Sequence, residues 1–165
     1  ASKRFSHINL VDIGFKGMGE LLPLVSIVLL SLALGASLQI LGTGLFVAGI
    51  VGEALPIIMI VPMLFLASSV MAFTTGTSFG TFAMMIPIGV PLIQMLGLPP
   101  AFVISAILGG GVFGDHCSPI SDTTMISSVA SGCDLLDHVK TQLPYALVGG
   151  GLTFVAYIIN GLFVL

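Results

Sequence analysis

Asp115 and Asp122, together with the hydroxyls of Ser118, Ser121, Thr123 and Thr124, make GDHCSPISDTT (114–124) the densest polar run in the sequence. Carboxylates and hydroxyls are hard oxygen ligands of the kind that calcium and magnesium sites use, and Na+ prefers the same donors. A carboxylate withdrawn from bulk water can also carry a proton. The flanks sharpen both readings, because no charged residue lies between Glu53 and Asp115 or between Asp122 and Asp134. A charged side chain at the bilayer centre costs about 2.5–3.5 kcal/mol on insertion scales, so carboxylates inside a membrane are functional candidates by default.

A second polar run, TTGTSFGT (74–81), has hydroxyls but no charge. Thr77, Ser78 and Thr81 at a broken helix tip could bind an ion or a substrate carboxylate. The alternative is packing: Gly76 and Gly80, like Ala106, Gly110 and Gly114, have the small-residue spacing that lets helices approach closely.

The elements that carry these runs must be membrane helices. The chain is 56% hydrophobic and 7% charged, with a mean hydropathy of +1.20. A soluble domain carries about 25% charged residues, and the short alternating segments of a barrel are absent. Residues 1–20 hold Lys3, Arg4, Asp12, Lys16 and Glu20 and read as an interfacial lead-in. Apolar stretches follow at 22–41, 56–73, 82–98, 101–113 and 143–163. The breaks between them fall at Gly42-Thr-Gly, the 74–81 run, Pro99-Pro100, the 114–124 run and a polar turn at 132–142. Pro87 and Pro91 predict kinks in the third stretch. The segment 101–113 would be roughly 20 Å of helix, short of the roughly 30 Å hydrocarbon core. A half-length helix, a Gly/Pro break and another short run together read as a discontinuous membrane helix. Gly76, Gly114 and Pro119 are the expected break residues. The competing reading is one span over 92–113 followed by a solvated loop to 142. Placing the early basic residues and Lys140 on the same side agrees with a cytoplasmic bias of basic groups.

If a helix ends near Gly114, Asp115 sits at its negative end and leans towards proton carrier. If another begins at Ser121 or Asp122, the positive end favours a permanently anionic Asp122. Asp122 after Ser-Pro-Ile-Ser is equally an N-cap signal. His116 is a candidate proton relay or a structural hydrogen-bonding residue, and Cys117 reads as packing. Asp-His-Cys hints at zinc, but no second His/Cys pair supports a structural metal site. Glu53 and the group Asp134, Asp137, His138 and Lys140 read as interfacial solvation. No basic patch suits nucleic acid. The opening Ala-Ser-Lys-Arg reads as the middle of a longer protein.

TTGTSFGTFAMMIPIGVPL, GGGVFGDHCSPISDTT and CDLLDHVKTQLPYAL together closely resemble the carboxy-terminal part of the NhaC-type Na+/H+ antiporter family. The resemblance covers roughly residues 14–150. It implies a polytopic carrier of two related halves of opposite orientation in the cell inner membrane. Residues 1–165 would then be a single transmembrane domain, most of the second repeat, whose partners are the lipid bilayer and the missing amino-terminal repeat. A homo-oligomer is compatible with this. The family's polar signature falls on Gly76, Thr77, Ser78 and Thr81, and on Asp115, Ser118, Pro119, Ser121, Asp122, Thr123 and Thr124. Phe79 stands where many relatives have Trp, a change that bears on substrate preference.

The expected class is thus an all-α polytopic helical bundle with discontinuous helices or a re-entrant hairpin, one half of an inverted-repeat transporter. The expected function is Na+/H+ exchange, with no enzyme activity and no cofactor beyond the transported ions. A Na+- or H+-coupled carrier of small organic acids or amino acids is the alternative. An intramembrane aspartyl protease would need its second aspartate on another span, and a purely structural subunit would not need two polar breaks.

Overall fold

The computed structural model describes residues 7–164, and within them it contains helices and no strands. In chain order these are α1 (His7–Ile40), α2 (Thr43–Ala54), α3 (Ile57–Thr75), α4 (Ser78–Leu96), α5 (Pro100–Cys117), α6 (Asp122–Ser131) and α7 (Leu135–Val164). The chain is a multi-pass membrane protein. Helices α3, α4, α5 and α7 are each long and apolar enough to cross a bilayer, and the bent pair α1–α2, turned by 68° at Gly42, would add a fifth crossing.

Local chemistry sets most boundaries. Leu55, before Pro56, is held extended and ends α2. Pro100 starts α5 at the position where a missing N–H costs nothing. Pro87 and Pro91 lie inside α4, which runs through both without a break. Three boundaries differ from the sequence expectation. Helix α5 continues past Gly114 to Cys117, so it is 18 residues long rather than a half-length segment. The polar turn shrinks to 132–134 because Asp134 Oδ1 accepts the N–H groups of Leu136 and Asp137, starting α7 among residues expected to be turn. Residues 7–20 of the expected lead-in are already helical, while Lys3 and Arg4 lie outside the described residues.

Packing fixes the helix directions. A Cβ added at Gly110 would overlap the carbonyl of Phe65, and one at Gly114 would overlap the backbone of Ser69, so α3 and α5 run parallel in close contact. Gly111 meets the Phe82 ring and Gly89 meets Ile107, so α4 is antiparallel to α5. Gly150 meets Phe113, and Tyr157 Oη donates to Ser105 Oγ at 3.3 Å, so α7 is antiparallel to α5 as well. The core comprises Ile60, Val61, Leu64 and Phe65 of α3, Met85 and Leu92 of α4, and Val103, Ala106 and Ile107 of α5. The 106/110/114 stripe is thus a packing face, and Gly114 is a close-approach residue inside a helix rather than a break.

Helix α7 also gives a depth scale. Its apolar part, 143–164, taken as the uncharged band, is about 33 Å long, and Gly150 lies about 10 Å from the 143 end. Phe113 is level with Gly150, and Asp115 is two residues nearer that end, roughly 7 Å inside the uncharged band. The break that follows Cys117 lies close to the edge of the band rather than at its centre.

Candidate functional site

The two polar runs meet. Helix α3 ends at Gly76, whose φ of 68° is left-handed and whose N–H closes the last turn on Ala72 O at 2.8 Å. Thr77 is extended and α4 starts at Ser78. Helix α5 ends with Ser118 N–H on Asp115 O at 3.0 Å, and residues 118–121 are non-helical, with Pro119 inside the break. Ser118 Oγ donates to Phe73 O at 2.8 Å, satisfying one of the terminal carbonyls of α3. Asp122 N–H reaches Gly76 O at 3.4 Å. Gly76 is required at this junction: besides the left-handed φ, a Cβ there would lie 2.6 Å from Ile120 O. Gly76→Ala should therefore push the breaks apart and cost about 2 kcal/mol or more, read as a lower melting temperature of the purified protein in lipid. An unchanged melting temperature would mean that the junction is not close-packed.

Asp115 carries the buried carboxyl group of the junction, 1% exposed. Its Oδ2 accepts from Thr123 Oγ1 at 2.7 Å, so that hydroxyl has no proton left for Ser121 Oγ, 2.9 Å away. Ser121 must then donate to Thr123 while accepting the N–H of Thr124 at 3.2 Å. The result is a directed chain from the first turn of α6 to the carboxylate. Ser121, not Asp122, caps α6, which leaves Asp122 as its first residue, half-buried and met by the N–H of Thr123. Asp115 stands in the last turn of α5, so the carboxylates occupy the helix ends expected of them.

Several buried oxygens here lack a hydrogen-bond partner: Asp115 Oδ1, Thr77 Oγ1, Thr124 Oγ1 and, on α3, Ser68 Oγ. Leaving such a group unsatisfied costs about 1–3 kcal/mol. Ser78 and Thr81 are buried on the facing end of α4, with Thr81 Oγ1 donating to Thr77 O at 2.9 Å. Gly111 packs on Phe82, so one turn further along each helix Asp115 and Ser78 come to the same level. This end of the bundle therefore holds one buried carboxyl group and several buried hydroxyls without a partner.

His116 points elsewhere. It is exposed, its Nδ1 lies 2.8 Å from Val112 O, and it lines a cleft with His138. Ser68 lay hidden inside an apolar stretch, where adjacent serines were the available signal. His138 and Gln142 read as solvated turn residues until α7 placed them on the cleft wall.

A family model described as the Na+/H+ antiporter family matches residues 5–162. The chain belongs to the Na+/H+ antiporter family. Antiporters similar to it include the arginine/ornithine antiporter ArcD of Halobacterium salinarum, 36% identical over 62% of this chain. The malate-2H(+)/Na(+)-lactate antiporter of Bacillus subtilis is 38% identical over 56% of it. The Na(+)/H(+) antiporter NhaC of Alkalihalophilus pseudofirmus is 34% identical over 53%. The matches cover 21%, 20% and 19% of those antiporters' own lengths, so the chain spans about a fifth of the relatives it resembles. No solved structure matches it.

Proposed function

We propose that this chain carries the ion site of a secondary transporter that exchanges Na+ for H+ across the cell inner membrane. The observation that carries the reading is Asp115, a carboxyl group enclosed where two helix breaks meet, at an end of the bundle that also holds buried hydroxyls without a partner. Na+ and H+ would compete for it: the cation binds the ionised carboxylate with Thr77, Thr124 and neighbouring hydroxyls as oxygen ligands, and protonation releases the cation. Asp122, at the positive end of α6 and within electrostatic reach of Asp115, would add a second carboxyl to the site, and His116, on the cleft wall rather than in the junction, would pass protons between the cleft and water. Driving forces come from ion gradients, with no covalent chemistry and no resident cofactor. The chain would be the second of two repeats, with the first repeat completing the pathway.

The test is the full-length protein in sealed vesicles with an internal pH dye. An imposed Na+ gradient should move protons, and its failure to do so would remove this reading. Asp122→Asn should slow exchange about tenfold, the loss of roughly 1.5 kcal/mol of charge-assisted binding. Unchanged exchange would remove Asp122 from the site. The ArcD and malate/lactate relatives support a second reading, a coupled carrier of small organic acids or amino acids. Counterflow of labelled arginine, malate or lactate in the same vesicles would favour it.

A further inference from the structure

On the far side of Thr123 from Asp115 lies a cleft of about 400 Å³ between α5, α6 and α7, bordered by His116, Thr123, Thr124, His138, Thr141 and Gln142. We propose that this cleft is the aqueous entrance through which a hydrated monovalent cation reaches the junction, with Thr123 as the innermost gate; this rests on the functional reading above.

Thr123 belongs to both places. Its side chain is exposed to the cleft while its hydroxyl donates to Asp115 Oδ2 at 2.7 Å. Rotating that one hydroxyl away would open the carboxylate to the cleft. Thr124 Oγ1, 3% exposed, also borders the cleft and has no partner, and neither does the buried Oε1 of Gln142. His116 gives its Nδ1–H to a carbonyl, which leaves Nε2 as the free ring nitrogen. Polar groups that enter the membrane from its edge are tolerated where they line water, and this volume holds roughly ten water molecules. The other side of the α5–α7 seam is a groove walled by Leu66, Val70, Phe73, Phe113 and Leu147, which suits lipid or packing and not an ion. Polarity is confined to the side that leads to Asp115.

The experiment uses the full-length protein with Cys133→Ser and with any cysteine outside this chain replaced, so that among the described residues only the buried Cys117 remains. Thr141→Cys on α7 and, independently, Ser127→Cys on α6, two residues that line the cleft, place a thiol in it. A membrane-impermeant methanethiosulfonate ammonium reagent should label each from one face of the vesicle only. Na+ should slow labelling several-fold relative to choline. The attached charge should cut exchange about tenfold, as expected of a like charge in the ion's path. No labelling of either variant from either face, labelling indifferent to Na+, or unimpaired exchange after labelling would overturn the proposal. Na+ protection is read without transport, so it separates this proposal from a failure of Na+/H+ exchange in the unmodified protein.

Discussion

Asp115→Asn in the full-length protein is expected to reduce Na+-driven proton movement to about one-hundredth or less of the wild-type rate. The substitution keeps the size and shape of the side chain, and the amide oxygen can still accept from Thr123 Oγ1, so the junction of α3–α4 with α5–α6 should still form. What disappears is the charge and the ability to carry a proton. Interactions with charged groups contribute up to about 3 kcal/mol, or roughly a hundredfold in affinity, and the proton half of the cycle is lost outright. Vesicle exchange, with elution as a monodisperse folded protein as control, gives the answer. Exchange within tenfold of wild type would deny Asp115 its role. The effect should exceed that of Asp122→Asn, since the half-buried Asp122 keeps contact with water and Asp115 does not.

Gly114→Val is expected to fail at an earlier stage. Any Cβ at this position would overlap the Ser69 backbone of α3, and a carbonyl and its peptide plane cannot move aside as a flexible side-chain end can. The parallel α3–α5 contact would have to open along the 106/110/114 stripe, separating the Asp115 end of α5 from the end of α3. Overpacking a tight interface typically costs about 1–3 kcal/mol, and a backbone overlap belongs at or above the upper end. The expected result is loss of membrane-integrated protein and of thermal stability in whatever remains. Gly149→Val is the matched control, because nothing lies within 4 Å of a Cβ there. Equal accumulation and stability of the two variants would contradict the packing described.

The sequence conveyed the class of the protein, the break residues Gly42 and Gly76, and the boundary at Pro99-Pro100, because each is chain punctuation that acts locally. It misplaced the end of α5 at Gly114, since a glycine in an apolar run can serve equally as a stop or as a contact point. Only the position of Ser69 on another helix decides between the two. The start of α7 was missed for a related reason. Asp134 caps the helix and Asp137, His138 and Lys140 occupy its first turns outside the uncharged band, so polarity there signals exposure and not the end of a helix. The acidic pair and its hydroxyls were legible as a cluster. Their pairing, with Thr123 on Asp115 and Ser121 as the cap, depends on how residues 118–121 fold back against Gly76. The cleft was not legible as a cleft, because its α7 wall of His138, Thr141 and Gln142 reads as a polar turn and meets the 114–124 run only in the folded protein.

Infrared difference spectroscopy of the full-length protein in lipid bears most directly on Asp115 as the group at which Na+ replaces H+. Replacing choline by Na+ at constant pH should remove the carbonyl band of a protonated carboxylic acid in the wild-type protein and leave no such change in Asp115→Asn. The same Na+-induced band loss in both proteins would contradict the account.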